Sequence, residues 1–195
     1  MTKPSSEDLD ELLTRSISYI FPSKEALEKE LLSGKRLKIY LGADATGPDL
    51  HLGHATSIIF LEKLRRLGHE VIFLFGDFTA RIGDPTGKDS TRKRLTEEEV
   101  EVNIKEWKDQ VGKILNLDDP ENPAKILKNS AWLATLALKD IVELSASVTV
   151  QQMLERDMFQ KRLTERKPIY VHEFLYQLMK GYDSVAMNVD RKSVV

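Results

Sequence analysis

The chain has 195 residues and a formal net charge of −2 at pH 7, so it carries no broad basic field able to hold nucleic acid by charge alone. Hydrophobic residues at 41% and charged residues at 31%, with 10 Gly and 7 Pro, exclude a disordered or fibrous chain and allow a sizeable core. Cysteine is absent, which removes disulfides, thiolate metal sites and cysteine nucleophiles and fits a reducing compartment. The acidic start MTKPSSEDLDELL reads as neither a signal nor a transit peptide, and no apolar run reaches membrane-spanning length, so a cytoplasmic location and no membrane partner are expected.

From Glu7 to Leu32 the apolar spacing, interrupted at Pro22 and Ser23, predicts two short helices ending near Gly34. Leu37 to Gly42 (LKIYLG) then reads as a buried parallel strand. Ile58, Leu61, Leu64 and Leu67 lie three apart on a helix that Gly68 can end, and Val71 to Phe75 (VIFLF) is the next strand. This strand–helix–strand unit predicts a parallel pair whose ligands bind at the carboxyl edge. Beyond Phe75 a Gly-, Asp- and Lys-rich loop, GDFTARIGDPTGKDSTRKR, precedes Thr96, the expected N-cap of an acid-led helix running towards Leu115. Asp118 to Pro123 reads as a turn, and helices are expected over Leu138 to Ser145, Val150 to Leu163 and Glu173 to Tyr182.

Three constellations can carry chemistry. In YLGADATGPDLHLGH, His51 and His54 share one side of a first helical turn, and Gly53 between them permits close approach of a ligand to the backbone. A helix N-terminus favours an anion such as a triphosphate. A metal at this pair ranks below phosphate, because no third His or Cys lies near and the local carboxylates are Asp44 and Asp49. No metal site is expected.

The second constellation, GDPTGKDS, is not a phosphate-binding P-loop, since only three residues separate its glycines and Asp89 follows the lysine. It supplies the cations Lys88, Arg92, Lys93 and Arg94, able to close on leaving pyrophosphate, and the carboxylate of Asp84, fixed between Gly83 and Pro85. Lys93 and Arg94 read as solvated surface. In the third, HEFLYQLMKGYD, Leu175, Leu178, Met179 and Tyr182 form the expected core stripe, while Tyr176, Lys180 and Asp183 line the neighbouring face. A phenol and an acid converging there can grip a phenolic hydroxyl and an ammonium. Trp107, Trp132 and His69 read as packing or surface residues, and His172 as a cap.

HLGH resembles the HIGH signature of class I aminoacyl-tRNA synthetases, and the longer stretch around it resembles tyrosyl-tRNA synthetases in particular. GDPTGK and HEFLYQLMKGYD resemble further segments of that family in the same order, over roughly residues 37–190. The resemblance implies an α/β fold with a Rossmann-like parallel sheet and a helical insertion, incomplete at the C-terminus. It implies activation of L-tyrosine by ATP and transfer to tRNA(Tyr), with Mg2+ accompanying ATP, no tightly bound cofactor, and a homodimer.

By the same resemblance His51, His54, Lys88, Arg92 and Thr46 take the catalytic roles. Gly42, Ala43, Asp44, Thr46, His51, Gly53, His54 and Ser57 surround ATP, while Tyr40, Asp44, Thr79, Asp84, Tyr176, Lys180 and Asp183 surround tyrosine. Tyr176 and Asp84 fall at the substrate amino group, and Asp183 and Tyr40 at the phenol. Lys180 departs from the family, which commonly places Gln there. A second cation beside an ammonium is unfavourable unless Asp84 or Asp183 pairs with it or it points away.

The expected organisation is a helical preamble over 1–34, a catalytic portion over 35–190 with a dimer-forming insertion at about 105–165, and a tail over 191–195 that does not resemble the family's next strand. The family's KMSKS loop and anticodon-binding domain are expected to lie outside this chain. Two other readings stand beside it: a small nucleotidyltransferase with an HxGH motif, and a non-catalytic fragment that dimerises.

Overall fold

The computed structural model describes residues 6–15, 17–83, 95–189 and 191–193. In chain order they form α1 (Ser6–Thr14), α2 (Lys24–Leu32), β1 (Lys38–Ala43), α3 (Leu52–Arg66), β2 (Glu70–Phe75), α4 (Asp77–Ile82) and α5 (Glu97–Gly112). Then follow β3 (Lys125–Lys128), α6 (Ser130–Leu133), α7 (Leu138–Ser145), α8 (Val150–Leu154), α9 (Asp157–Thr164), α10 (Val171–Ala186) and β4 (Arg191–Ser193). The predicted strand–helix–strand unit is present: β1 and β2 run parallel with Lys38 opposite Glu70 and Ala43 opposite Phe75. The sheet order is β3-β2-β1-β4, and each pairing is parallel. The chain leaves β1 towards β2 on one side and returns beside it as β4 on the other. The crevice of such a sheet therefore opens at the carboxyl end of β1.

Alternation along the strands divides the core in two. Ile39, Leu41, Val71, Phe73 and Phe75 face a large cluster built with α3, α5 and also α1 and α2, whose Leu9, Leu12, Leu13 and Leu31 join the same core. The N-terminal helices are thus packed onto the sheet. Tyr40, Ile72 and Leu74 face the other way, towards Met187 and Trp132. The predicted stripe Ile58, Leu61 and Leu64 is buried, and Gly68 ends α3 with φ 94°. His69 N–H donates to Leu64 O and Gly68 N–H to Arg65 O, the doubly bonded turn that a glycine at this position permits.

Several elements differ from the sequence expectation. The stretch after Phe75 contains α4, whose Gly76 N-cap and buried Asp77 and Thr79 lie inside what reads locally as a loop. The helix expected over Val150 to Leu163 breaks at Glu155 and Arg156. Met153 and Phe159 are both buried, and on one continuous helix residues six apart would lie about 120° apart around the axis. The break turns both inward. Short β3 and β4 carry too few apolar residues to announce themselves; β4 pairs Ile39 with Arg191 inside the stretch read as an unrelated tail.

On α10 the buried positions include Glu173, Tyr176, Leu178 and Asp183, whereas Leu175, Met179 and Tyr182 are only half-buried. The apolar stripe is therefore not the innermost face. The polar face turns inward because other polar groups await it under the helix.

A buried ion network ties α3 to the turn before β3. Arg65 is bidentate to Glu62 at 2.7 and 2.9 Å and donates to Asp119 at 2.7 Å and to Asn122 O at 2.8 Å. Glu62 also accepts from Arg66 and from Asn116 N–H. Burial pushes the Glu62 carboxyl up, but these donors outweigh it and hold the group at about 2, against 4.5 ordinarily. A carboxyl depressed on folding stabilises the fold fully above its unfolded pKa, and this contribution is lost as pH falls through the folded value. Glu62→Gln removes one of the two carboxylates that pair with buried Arg65 and should cost about 3 kcal/mol in urea unfolding at pH 7. Because the variant has no titrating group there, the difference from the unmodified chain should shrink between about pH 4.5 and about pH 2.

Candidate active site

At the start of α3, His51 is the N-cap in extended conformation. The His54 N–H donates to His51 Nδ1 at 3.4 Å and the His51 N–H to His54 Nδ1 at 3.3 Å, a reciprocal capping box made by two imidazoles. With both Nδ1 atoms accepting, each neutral ring carries its proton on Nε2 and offers it outward as a donor. The rings stack with centroids 3.8 Å apart, and His54 also leans on Trp107. Burial, and then His51, hold the His54 pKa below its ordinary 6.5. Gly53 has a local reason beyond ligand access: a Cβ there would lie 2.9 Å from His51 Cε1. Ser57 lies half-buried one turn further along α3.

The loop between β1 and α3 is held from outside. On one face of α5, Asn103 donates to Ala45 O at 2.9 Å, Trp107 Nε1 to Gly47 O at 2.7 Å and Gln110 to Pro48 O at 3.0 Å. Gln110 Oε1 then accepts from Leu50 N–H at 2.9 Å. Thr46 turns back so that its N–H reaches Asp44 O at 2.8 Å. Trp107 is a packing residue as expected, and it also fixes the loop that leads to His51.

Asp44, just past the end of β1, collects donors from two helices. Its Oδ1 accepts from Thr79 Oγ1 at 2.8 Å and lies 3.5 Å from Lys180 Nζ, while Oδ2 accepts from Tyr176 OH at 2.9 Å. Lys180 does not point away: its Nζ also lies 3.8 Å from Asp183 Oδ2. Asp183, fully buried, accepts from Trp132 Nε1 at 2.9 Å and Asn129 Nδ2 at 3.4 Å. Asn129 further donates to Thr79 Oγ1 at 3.0 Å and accepts from Phe78 N–H. Tyr40 OH shares a 2.9 Å hydrogen bond with Ser184. Burial pushes that phenol up to about 12, Asp183 adding to the rise and the Ser184 bond opposing it.

The structure thus brings together Tyr40, Gly42, Asp44, Thr79, Tyr176, Lys180 and Asp183 around the carboxyl end of β1, with Ala43 and Thr46 in the adjoining strand end and loop. His51, Gly53 and His54 stand at the neighbouring helix start. Asp84, Lys88 and Arg92 lie outside the described residues. Trp132 is a correction, since it hydrogen-bonds the buried acid of the cluster as well as packing. Asn129, Ser184 and Gly76 were missed. Asn129 follows a short edge strand, and only its buried position before α6 marks it; Ser184 sits beside Asp183 but carries no local signal.

Within this cluster the family becomes evident. A model of the class I tRNA synthetases (W and Y) matches residues 32–195, and the chain belongs to that family. Its relatives point to one branch of it. A tyrosine–tRNA ligase of Moorella thermoacetica is 47% identical over 182 residues, which are 92% of this chain and 43% of the relative. That of Geobacter sulfurreducens is 52% identical over 167 residues, 86% of this chain and 40% of the relative. A C-terminally truncated mitochondrial tyrosyl-tRNA synthetase of Coccidioides posadasii superposes with a TM-score of 0.75 at 27% identity, covering 92% of this chain and 51% of its own. The chain therefore spans less than half the length of the curated relatives it matches.

Gly76 tests the cluster's packing. A Cβ there would fall 1.9 Å from Asp44 Oδ1 and 2.5 Å from Thr79 Oγ1. Gly76→Ala should destabilise the chain by about 2 kcal/mol through overpacking. Gly112→Ala, where the nearest atom lies at an ordinary 3.6 Å, should cost nothing measurable in the same urea titration.

Proposed function

We propose that this chain is the tyrosine- and ATP-holding portion of a tyrosine–tRNA ligase, which activates L-tyrosine to tyrosyl-adenylate and charges tRNA(Tyr). The observation that carries the reading is the cluster of Asp44, Tyr176, Lys180 and Asp183 beside the paired histidines, at the carboxyl edge where β1 reverses the strand order. Tyr176 and Asp44 form its amino end, and Asp183, with Tyr40 nearby, its phenol end. The relatives' names support tyrosine as the amino acid.

Activation joins a substrate carboxylate oxygen to the α-phosphorus of ATP as the bond to pyrophosphate breaks. No nucleophilic side chain is needed; alignment and neutralisation of the growing phosphate charge suffice. His51 and His54, whose Nδ1 atoms are taken by the capping bonds and whose Nε2 atoms can donate at the positive end of α3, serve the phosphates. The loop of Thr46 and the backbones at Gly42 and Gly53 position the nucleotide, with Ala43 and Ser57 at its edge. Lys88 and Arg92 close on pyrophosphate, and Asp84 takes the substrate amino group. Mg2+ enters with ATP as part of the substrate. The setting is the cytoplasm; among the described residues no helix is long and apolar enough to cross a membrane.

Calorimetric titration with L-tyrosine, L-phenylalanine and ATP, beside a pyrophosphate-exchange assay, tests the assignment. Tyrosine should bind at least about tenfold tighter than phenylalanine, because phenylalanine leaves buried polar groups at the phenol end without a partner. Equal binding, or none, would overturn the tyrosine assignment.

A homodimer belongs to the same proposal. The insertion at about 105–165 includes α7, which has no buried residue and leaves Leu138 at 76% and Val142 at 61% exposed. Ile141 and Leu144 are half-buried and α7 touches α10, while Leu138 and Val142 stay uncovered; that apolar face supports a protein partner there, and the family points to a second copy. Paired Leu138→Asp and Val142→Asp substitutions should convert a dimer to a monomer in sedimentation velocity.

A further inference from the structure

Tyr40 is buried on β1, and its phenol oxygen lies 2.9 Å from the Oγ of Ser184 on α10. Either oxygen can give the proton of that bond, so its direction is set by what else the two hydroxyls must do. Burial keeps the phenol protonated, pushing its pKa up to about 12, and the charge of Asp183 adds to the rise. Tyr40 is therefore available as a donor at neutral pH. Serine within a helix often spends its hydroxyl on the carbonyl one turn back; among the described residues that of Ser184 bonds Tyr40 instead.

Resting on the tyrosine reading above, we propose that Ser184 is a positioning residue for phenol recognition, giving its proton to the Tyr40 oxygen and so aiming the Tyr40 proton at the ligand's phenol. A ligand phenol has one proton to give and lone pairs that accept. Asp183, as a carboxylate, can only accept, and its oxygens already take the Trp132 indole and Asn129 amide protons. The ligand proton goes to this acid, since a bond to an ionised acceptor is the stronger one. The ligand oxygen is then left to accept, and Tyr40 is the hydroxyl that donates to it. With that proton committed, the buried Tyr40 oxygen accepts in its turn, and the hydroxyl within reach of it is that of Ser184. The protons thus run one way, from Ser184 to Tyr40 to ligand to Asp183, and each bond polarises the next. Ser184 contributes to the choice of tyrosine over phenylalanine without touching either.

The test is calorimetric titration with L-tyrosine, L-phenylalanine and 4-amino-L-phenylalanine, whose ring amino group gives protons but accepts poorly. In the unmodified chain the amino compound should bind about fivefold weaker than tyrosine, because the Tyr40 proton then meets another donor. Binding equal to that of tyrosine would show Tyr40 accepting, and would overturn the inference whether or not any variant folds. Ser184→Ala, checked for a native unfolding transition, should weaken tyrosine about fivefold and leave phenylalanine within about twofold. Ser184→Thr, which keeps the hydroxyl, should restore tyrosine binding. In Tyr40→Phe, which has no phenol to aim, adding Ser184→Ala should change tyrosine binding by less than about twofold. Equal loss of tyrosine and phenylalanine in Ser184→Ala, or the same loss in the absence of the Tyr40 hydroxyl, would mean a serine that only packs and would sink the proposal. Tyrosine bound no tighter than phenylalanine by the unmodified chain would instead remove the tyrosine reading on which it rests.

Discussion

The carboxylate of Asp44 is the point on which the site depends. It stands just past the end of β1, where the crevice of the parallel sheet opens, and its donors come from α4 through Thr79 and from α10 through Tyr176 and Lys180. These elements are distant in the chain and have no mutual reason to stop at one place. A half-buried anion gives them one, because leaving it without donors costs far more than any single bond contributes. Gly76 is the complement of that arrangement, a position where the backbone itself makes room for the carboxylate.

The histidine pair is held by different means. The loop that carries it has few backbone partners of its own, and α5 supplies substitutes through Asn103, Trp107 and Gln110, spaced so that all three fall on one helix face. Each binds a successive part of the loop. The loop's course fixes the N-cap, the N-cap fixes His51, and the reciprocal bonds between the two residues fix both rings and their protons. Anchoring from a neighbouring helix places the donors on a rigid support while their Nε2 edges stay open.

Two charge clusters in this chain show opposite balances. Around Glu62, Arg65, Arg66 and Asp119 the signs are matched and the geometry is closed, which is what a structural clamp between α3 and the turn before β3 requires. Around Asp44 and Asp183 one ammonium serves two acids, and both acids accept neutral hydrogen bonds besides. The first cluster is complete in itself. The second lies at the carboxyl edge of the sheet, where the crevice opens, and joins α10 to the end of β1.

The sequence by itself determined the strand–helix–strand unit, the capping of α5, the family, and most of the residues around the crevice, because these follow from local spacing and from motifs carried within short segments. His51, His54, Tyr176, Lys180 and Asp183 were all legible in this way. What lay beyond it was decided by residues remote in the chain. Which face of α10 turns inward ran against its apolar stripe, since Asp44, Asn129 and Trp132 offer partners that no pattern within the helix reveals. The same holds for α4, whose buried Asp77 and Thr79 look like loop residues until Ser130, Asn129 and Asp44 meet them. It holds also for Lys180, whose identity was plain but whose direction was not. A hydrogen-bonded polar core is specified by both partners at once, and a periodic pattern reports only one of them. Tertiary structure alone brings the second.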